Sequence, residues 1–217
     1  MWLEGPCGSS VGATCNIMTA AVLARGTTVI HAAAREPEVT DLARFLQTLG
    51  AKIEGVGTST IVIEGADNLG GGAYRVEPDR IEAGTYLIAG AMTGGDVRVA
   101  DCRPEHIEVV LEKIAEVGAD LTVEKDAVRV RGGNLRNPIS IRTLPYPGFP
   151  TDMQAQFTSM LAVVPGASTV TETIYPDRFI HVAELNRMGA SIQAHAGVAT
   201  VTALTVGIVE LLRLAGR

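Results

Sequence analysis

Apolar residues recur along this chain with two alternating periods. Val39, Leu42, Ala43, Leu46 and Leu49 are spaced by three and four residues, and so are Ile107, Val110, Leu111 and Ile114. That spacing places each set on one stripe of a helix. Three more helices are predicted, at Val11–Ala24, Arg80–Met92 and Asp152–Val163. A β-branched run follows each of these three: Thr27–His31, Asp96–Ala100 and Ser168–Ile174. Runs of that kind, bounded by glycine or proline, read as strands. Short paired runs such as Leu121–Glu124 and Val128–Arg131 read as hairpins closing each stretch.

The elements are one unit written three times. Leu49-Gly50-Ala51-Lys52-Ile53 returns as Val117-Gly118-Ala119-Asp120-Leu121 and as Met188-Gly189-Ala190-Ser191-Ile192. A second set of glycines, Gly26, Gly95 and Gly166, keeps nearly the same period of about 70 residues, and two landmarks sharing one period mark a repeat. Each second helix has a proline-led start, at Pro37, Pro104 and Pro176, where the missing N–H costs no hydrogen bond. The fold class is therefore α/β, built of repeated β-α-β-α-β-β units, with the leading strand clearest at Ile139–Thr143. A unit cannot bury its helix face alone. Packing of units with helices inside and sheets outside follows. Gly70-Gly71-Gly72 and Gly132-Gly133-Asn134 are the linker candidates.

Composition narrows the function. The 217 residues suit one large domain or two small ones. Hydrophobic residues make up 47% of the chain but aromatics only 4%, so the core is aliphatic. A net charge of −6 argues against nucleic acid, which calls for clustered Lys and Arg. No apolar run is long enough to cross a membrane, and the start at Met1-Trp2-Leu3-Glu4 has no secretory pattern. Cys7, Cys15 and Cys102 form no pattern and read as reduced thiols of a cytoplasmic protein. His31, His106, His181 and His195 lack metal-ligand spacing, and Leu204–Arg217 reads as a short amphipathic helix.

The candidate chemistry centres on Pro147-Gly148-Phe149-Pro150-Thr151-Asp152-Met153-Gln154. A stiff turn opens into a helix, and Thr151 with Gln154 has the spacing of a capping box. Asp152 then falls in the first turn, where the helix dipole favours a carboxylate by roughly 0.3–1 kcal/mol. Asp79 with Glu82 has the same cap spacing, and Ser10 can cap the first helix. Glycine and free N–H groups at that first start form a candidate phosphate cradle.

Several passages together resemble one family. They are Ser10-Val11-Gly12-Ala13-Thr14, Ala34-Arg35-Glu36-Pro37-Glu38, Pro78-Asp79-Arg80-Ile81-Glu82-Ala83-Gly84-Thr85, Phe149 through Gln156, and Asp177-Arg178-Phe179 on to Ala190. In order and spacing they are similar to the UDP-N-acetylglucosamine 1-carboxyvinyltransferases, enolpyruvyl transferases of the EPSP synthase-like superfamily. The resemblance covers roughly residues 8 to 200. It implies an inside-out α/β barrel and transfer of the enolpyruvyl group of phosphoenolpyruvate to the 3-hydroxyl of UDP-N-acetylglucosamine (UDP-GlcNAc), the step that commits that sugar to peptidoglycan. No cofactor and no metal is implied. Gly8, Ser9, Ser10 and Val11 match the segment contacting the nucleotide-sugar diphosphate. Asp152 matches the acid at the sugar 3-hydroxyl, and Ile174 a hydrophobic position whose backbone contacts the nucleotide sugar. Glu36, Asp79, Arg80 and Arg178 match cleft-lining residues. A carboxylate accepts an alcohol proton only as the C–O bond forms.

By the same resemblance, residues 1–77 are one unit of the first domain, residues 78–203 two units of the second, and 204–217 a divergent helix. The family's Lys-Asn pair, general-acid loop and arginine cluster lie outside the matched stretch. The isolated chain is then expected to bind sugar nucleotide without turnover, and to self-associate or need a complementing chain. The alternative is an inactive paralogue serving as a nucleotide-sugar-binding or assembly module.

Overall fold

The computed structural model describes residues 1–5 and 8–203, so Cys7 and the proposed helix at 204–217 lie outside the described residues. The repeated Gly-Ala landmark has a conformational cause. Gly50, Gly118 and Gly189 all have φ near +100°, at 98°, 112° and 101°. A side chain resists that left-handed backbone, which ends a helix and turns the chain into the next strand.

The chain separates into two compact units. One comprises Met1–Glu77 with Pro145–Pro147, and the other Pro78–Leu144 with the residues from Gly148 onward. In the first unit the order is β1 (Glu4–Gly5), β2 (Gly8–Ser9), α1 (Val11–Ala21), β3 (Thr27–His31), α2 (Pro37–Thr48), β4 (Lys52–Glu54) and β5 (Thr60–Glu64). β5 lies between β3 and β4, antiparallel to both. Alternation along these strands turns Ile30, Ile53, Ile61 and Ile63 inward. They join Met18, Val22, Val39, Ala43 and Leu46 in a single core.

The second unit contains two copies. The first runs α3 (Arg80–Met92), β6 (Asp96–Ala100), a 3-10 turn (Pro104–His106), α4 (Glu108–Val117), β7 (Asp120–Val123) and β8 (Ala127–Arg131). The other runs β9 (Ser140–Arg142), a 3-10 turn (Thr151–Met153), α5 (Gln154–Leu161), β10 (Ala167–Thr171), α6 (Ile180–Arg187), β11 (Ser191–His195) and β12 (Val198–Thr202). The sheets are ordered β6-β8-β7 and β11-β12-β10-β9, with β9 parallel to β10. α3 is the inner helix of this unit, and small residues let its neighbours close on it. A Cβ on Gly84 would lie 2.8 Å from Met153 Cε, and one on Gly90 2.9 Å from both Val130 Cγ1 and Val97 Cγ2. The outer face of the β6-β8-β7 sheet is a charged ladder. Arg129 clasps Asp96 and Arg98 clasps Glu124, and those hydrogen bonds hold both carboxyls below their ordinary range.

Several expected details change. α1 stops at Ala21, not Ala24, and β10 stops at Thr171, not Ile174, where the backbone N–H groups of Ile174 and Tyr175 turn onto the Glu172 side chain. A leading strand pairs in parallel only at β9. In the first copy it shrinks to a parallel bridge between Trp2 and His31, whose rings stand 5.6 Å apart. In the second copy residues 65–79 carry no strand. Gly95 lacks the positive φ of Gly26 and Gly166, which passes to Gly94. Both glycine stretches touch their own unit, and the boundary between the units falls after the first of them, between Glu77 and Pro78. Gly70 N–H donates to Leu49 O at 2.7 Å, and a Cβ on Gly132 would lie 2.4 Å from Ala91 O.

Candidate functional site

In the first unit the expected diphosphate segment forms a strand running into a capped helix. Gly8 and Ser9 make up β2, paired with β1. Gly8 has φ +99°, and a Cβ there would lie 3.0 Å from Pro145 Cγ, so only glycine fits without movement. Ser10 caps α1 as expected, its Oγ accepting from Ala13 N–H at 3.2 Å. Its carbonyl accepts from the Thr14 hydroxyl at 2.8 Å, and Val11, half-buried, opens the helix. Glu36 stands just before α2. Its Oε1 accepts from Tyr146 N–H at 3.4 Å, and Arg35 donates to Tyr146 O at 3.2 Å. Its Oε2 is buried without a protein partner. Burial, then Glu38 and Glu36, push the Cys15 thiol up, so Cys15 is no activated nucleophile.

In the second unit the expected capping box at 151–154 does not form. Thr151, Asp152 and Met153 make a 3-10 turn, and neither this turn nor α5 has a side-chain cap. Asp152 therefore sits ahead of the α-helix, not in its first turn. The Thr151 hydroxyl is diverted. It donates to Glu172 Oε2 at 2.8 Å and accepts from Arg178 Nη1 at 3.1 Å. Gln154, the box's other member, is fully buried, and neither amide atom meets a protein partner.

The diversion assembles a cluster. Arg178 Nη1 lies 2.8 Å from Asp152 Oδ1, and both side chains are nearly half exposed. The guanidinium also stands 5.6 Å from the centre of the Tyr175 ring. Ile174 presents its backbone N–H to Glu172 Oε1 at 2.8 Å. Arg178 together with burial holds His181 below its usual range, burial being the larger cause. Asp152 and Arg178 are thus in contact, and the Ile174 backbone is linked to them through Glu172 and Thr151. Asp79 is differently employed, its Oδ1 accepting from Ile81 and Glu82 N–H at 2.7 and 3.1 Å. Arg80 is buried at the head of α3.

Sequence reasoning missed Glu172, Thr143 and the hydroxyl of Thr151 as partners. The signal was available. Ser168, Val170 and Glu172 alternate, as do Ile139, Ile141 and Thr143, so strand parity turns Glu172 and Thr143 inward on neighbouring strands.

Known proteins share this arrangement of elements. The UDP-N-acetylglucosamine 1-carboxyvinyltransferase of Serratia proteamaculans is 53% identical over 203 residues, 93% of this chain and 48% of its own. That of Klebsiella pneumoniae is 50% identical over the same shares. The chain thus spans about half the length of the curated relatives it matches. The crystal structure of the enolpyruvyl transferase NikO from Streptomyces tendae superposes with a TM-score of 0.79 at 25% identity, covering 92% of this chain and 47% of that one. The EPSP synthase (3-phosphoshikimate 1-carboxyvinyltransferase) family profile matches residues 7–213. With repeated α/β units and a match across nearly its whole length, the chain belongs to the EPSP synthase family.

Proposed function

We propose that this chain binds UDP-GlcNAc and serves in transfer of the enolpyruvyl group of phosphoenolpyruvate to the sugar 3-hydroxyl, a step of peptidoglycan synthesis. The observation that carries the reading is the half-exposed Asp152 carboxylate held at 2.8 Å by Arg178. One oxygen, Oδ1, is occupied by the guanidinium, and the other is left for a hydroxyl. As the 3-oxygen attacks C2 of phosphoenolpyruvate, its proton passes to Asp152, while C3 takes a proton from the general acid that the family carries outside the matched stretch. Loss of a C3 proton and of inorganic phosphate then restores the double bond. Arg178 holds that carboxylate in place, and its planar fork suits a phosphate or carboxylate of either substrate. The sequence passages shared with the UDP-N-acetylglucosamine 1-carboxyvinyltransferases support this choice of sugar.

The other candidate residues follow from the same reading. Gly8, Ser9, Ser10 and Val11 supply backbone donors and a hydroxyl to the diphosphate, as helix starts do for anions. The Ile174 backbone meets the nucleotide sugar. Glu36, Asp79 and Arg80 line the binding region, Asp79 through the helix start that it caps. Residues 1–77 belong to the first domain of the transferase and 78–203 to the second. Among the described residues no helix is long and apolar enough to cross a membrane, which fits a chain acting in the cytoplasm.

Titration calorimetry with UDP-GlcNAc tests the reading. Saturable heat is expected, displaced by excess UDP. Absence of heat at millimolar ligand contradicts it.

A further inference from the structure

Glu172 is a carboxylate in the wrong place for a surface acid. It follows the last residue of β10 and is 2% exposed, where an ion without partners would be strongly disfavoured. Its charge is met by four neutral donors. Oε1 accepts from the Thr143 hydroxyl at 2.7 Å, Ile174 N–H at 2.8 Å and Tyr175 N–H at 3.0 Å. Oε2 accepts from the Thr151 hydroxyl at 2.8 Å. Its own backbone N–H is anchored to Gly197 O at 2.7 Å, in the turn between β11 and β12. Thr143 is held in turn, because its hydroxyl accepts from Thr173 N–H at 2.8 Å.

These bonds have a directional consequence. A hydroxyl has one proton to donate. At Thr151 that proton goes to Glu172, so an oxygen lone pair is turned toward Arg178 Nη1, which donates to it at 3.1 Å. The same Nη1 carries a second hydrogen, and its other contact is Asp152 Oδ1 at 2.8 Å. Tyr175, whose ring lies beside the guanidinium, is fixed by its backbone bond to Glu172. Both supports of Arg178 within this shell therefore lead back to one buried side chain. We infer that Glu172 is the positioning residue of the Asp152–Arg178 pair, setting the arginine through the Thr151 hydroxyl and the Tyr175 turn. The inference rests on the functional reading above for its consequence in ligand binding, but not for the placement of Arg178.

The test uses the full chain with Glu172→Gln, which preserves shape and one carbonyl acceptor. Two measurements are made on it: UDP-GlcNAc affinity, and the rate at which phenylglyoxal modifies Arg178, followed by peptide mass spectrometry. Glu172→Gln should weaken UDP-GlcNAc by about tenfold in the unaltered background and by less than about twofold on top of Asp152→Asn, since both act through one carboxylate. Arg178 modification should quicken several-fold. Should Glu172→Gln fail to fold, Glu172→Asp, which keeps a carboxylate but draws it back from the Thr151 hydroxyl, must quicken Arg178 in the same way. Equal losses of affinity in both backgrounds overturn the positioning role, and so does unchanged Arg178 reactivity. If the unaltered chain binds no UDP-GlcNAc, the functional reading falls, and the Arg178 rate alone then decides the inference.

Discussion

The heads of α3 and α5 occupy the same place in two copies of one repeat, yet they use their polar residues in opposite ways. At α3 the acid turns back on its own helix, Asp79 accepting from Ile81 and Glu82. At α5 the residue with the capping spacing, Thr151, turns away toward the sheet and meets Glu172. The first arrangement spends the acid on the backbone donors of its own helix. The second gives up a cap, inserts a 3-10 turn and releases the neighbouring acid, Asp152, to pair with Arg178. Local helix chemistry has been exchanged for a tertiary one, as happens at functional sites.

Breaking the sheet side of that exchange should have the largest effect. Thr143→Val removes a buried donor to Glu172 and a half-buried acceptor from Thr173 N–H, and should destabilise by about 3 kcal/mol in urea unfolding. Asp79→Ala should cost about 1 kcal/mol, the usual value for a lost N-cap. Its signature is faster amide exchange at Ile81 and Glu82, with residues 151–153 undisturbed. Gln154→Leu should go the other way. The amide is buried without a protein partner, and replacing it with a hydrocarbon of similar size should stabilise by about 1 kcal/mol.

The smallest effect concerns pH. His181 is held below its ordinary value of 6.5 by burial and by Arg178. In the unfolded chain it takes up a proton more readily, so stability is complete above pH 6.5 and declines as pH falls through that value. Melting curves should show this decline, and His181→Gln should flatten it.

Much of the fold was legible because it rests on local rules stated repeatedly. The Gly-Ala landmark recurs where a positive φ is needed, and α3 keeps its expected bounds of Arg80 and Met92 because Asp79 caps it locally. Asp152 and Arg178 were named from their passages. What the spacing rules misjudged was the α5 start, since a Thr-x-x-Gln pattern reads as a capping box whatever lies across the sheet. Glu172 decided otherwise from 21 residues away. Its inward parity was visible in the alternation of Ser168, Val170 and Glu172, but its partner depended on which strand lay beside β10. That pairing, β9 in parallel, is tertiary information.

The most direct measurement compares UDP-GlcNAc affinity of Asp152→Asn with that of the unaltered chain by calorimetry, with melting temperatures taken alongside. Asn keeps the size of the side chain but loses the charge that pairs with Arg178 and the oxygen proposed to receive the sugar proton. Affinity about tenfold weaker at a nearly unchanged melting temperature is the expected result. Equal affinities for the two proteins would contradict a role for Asp152 at the sugar hydroxyl.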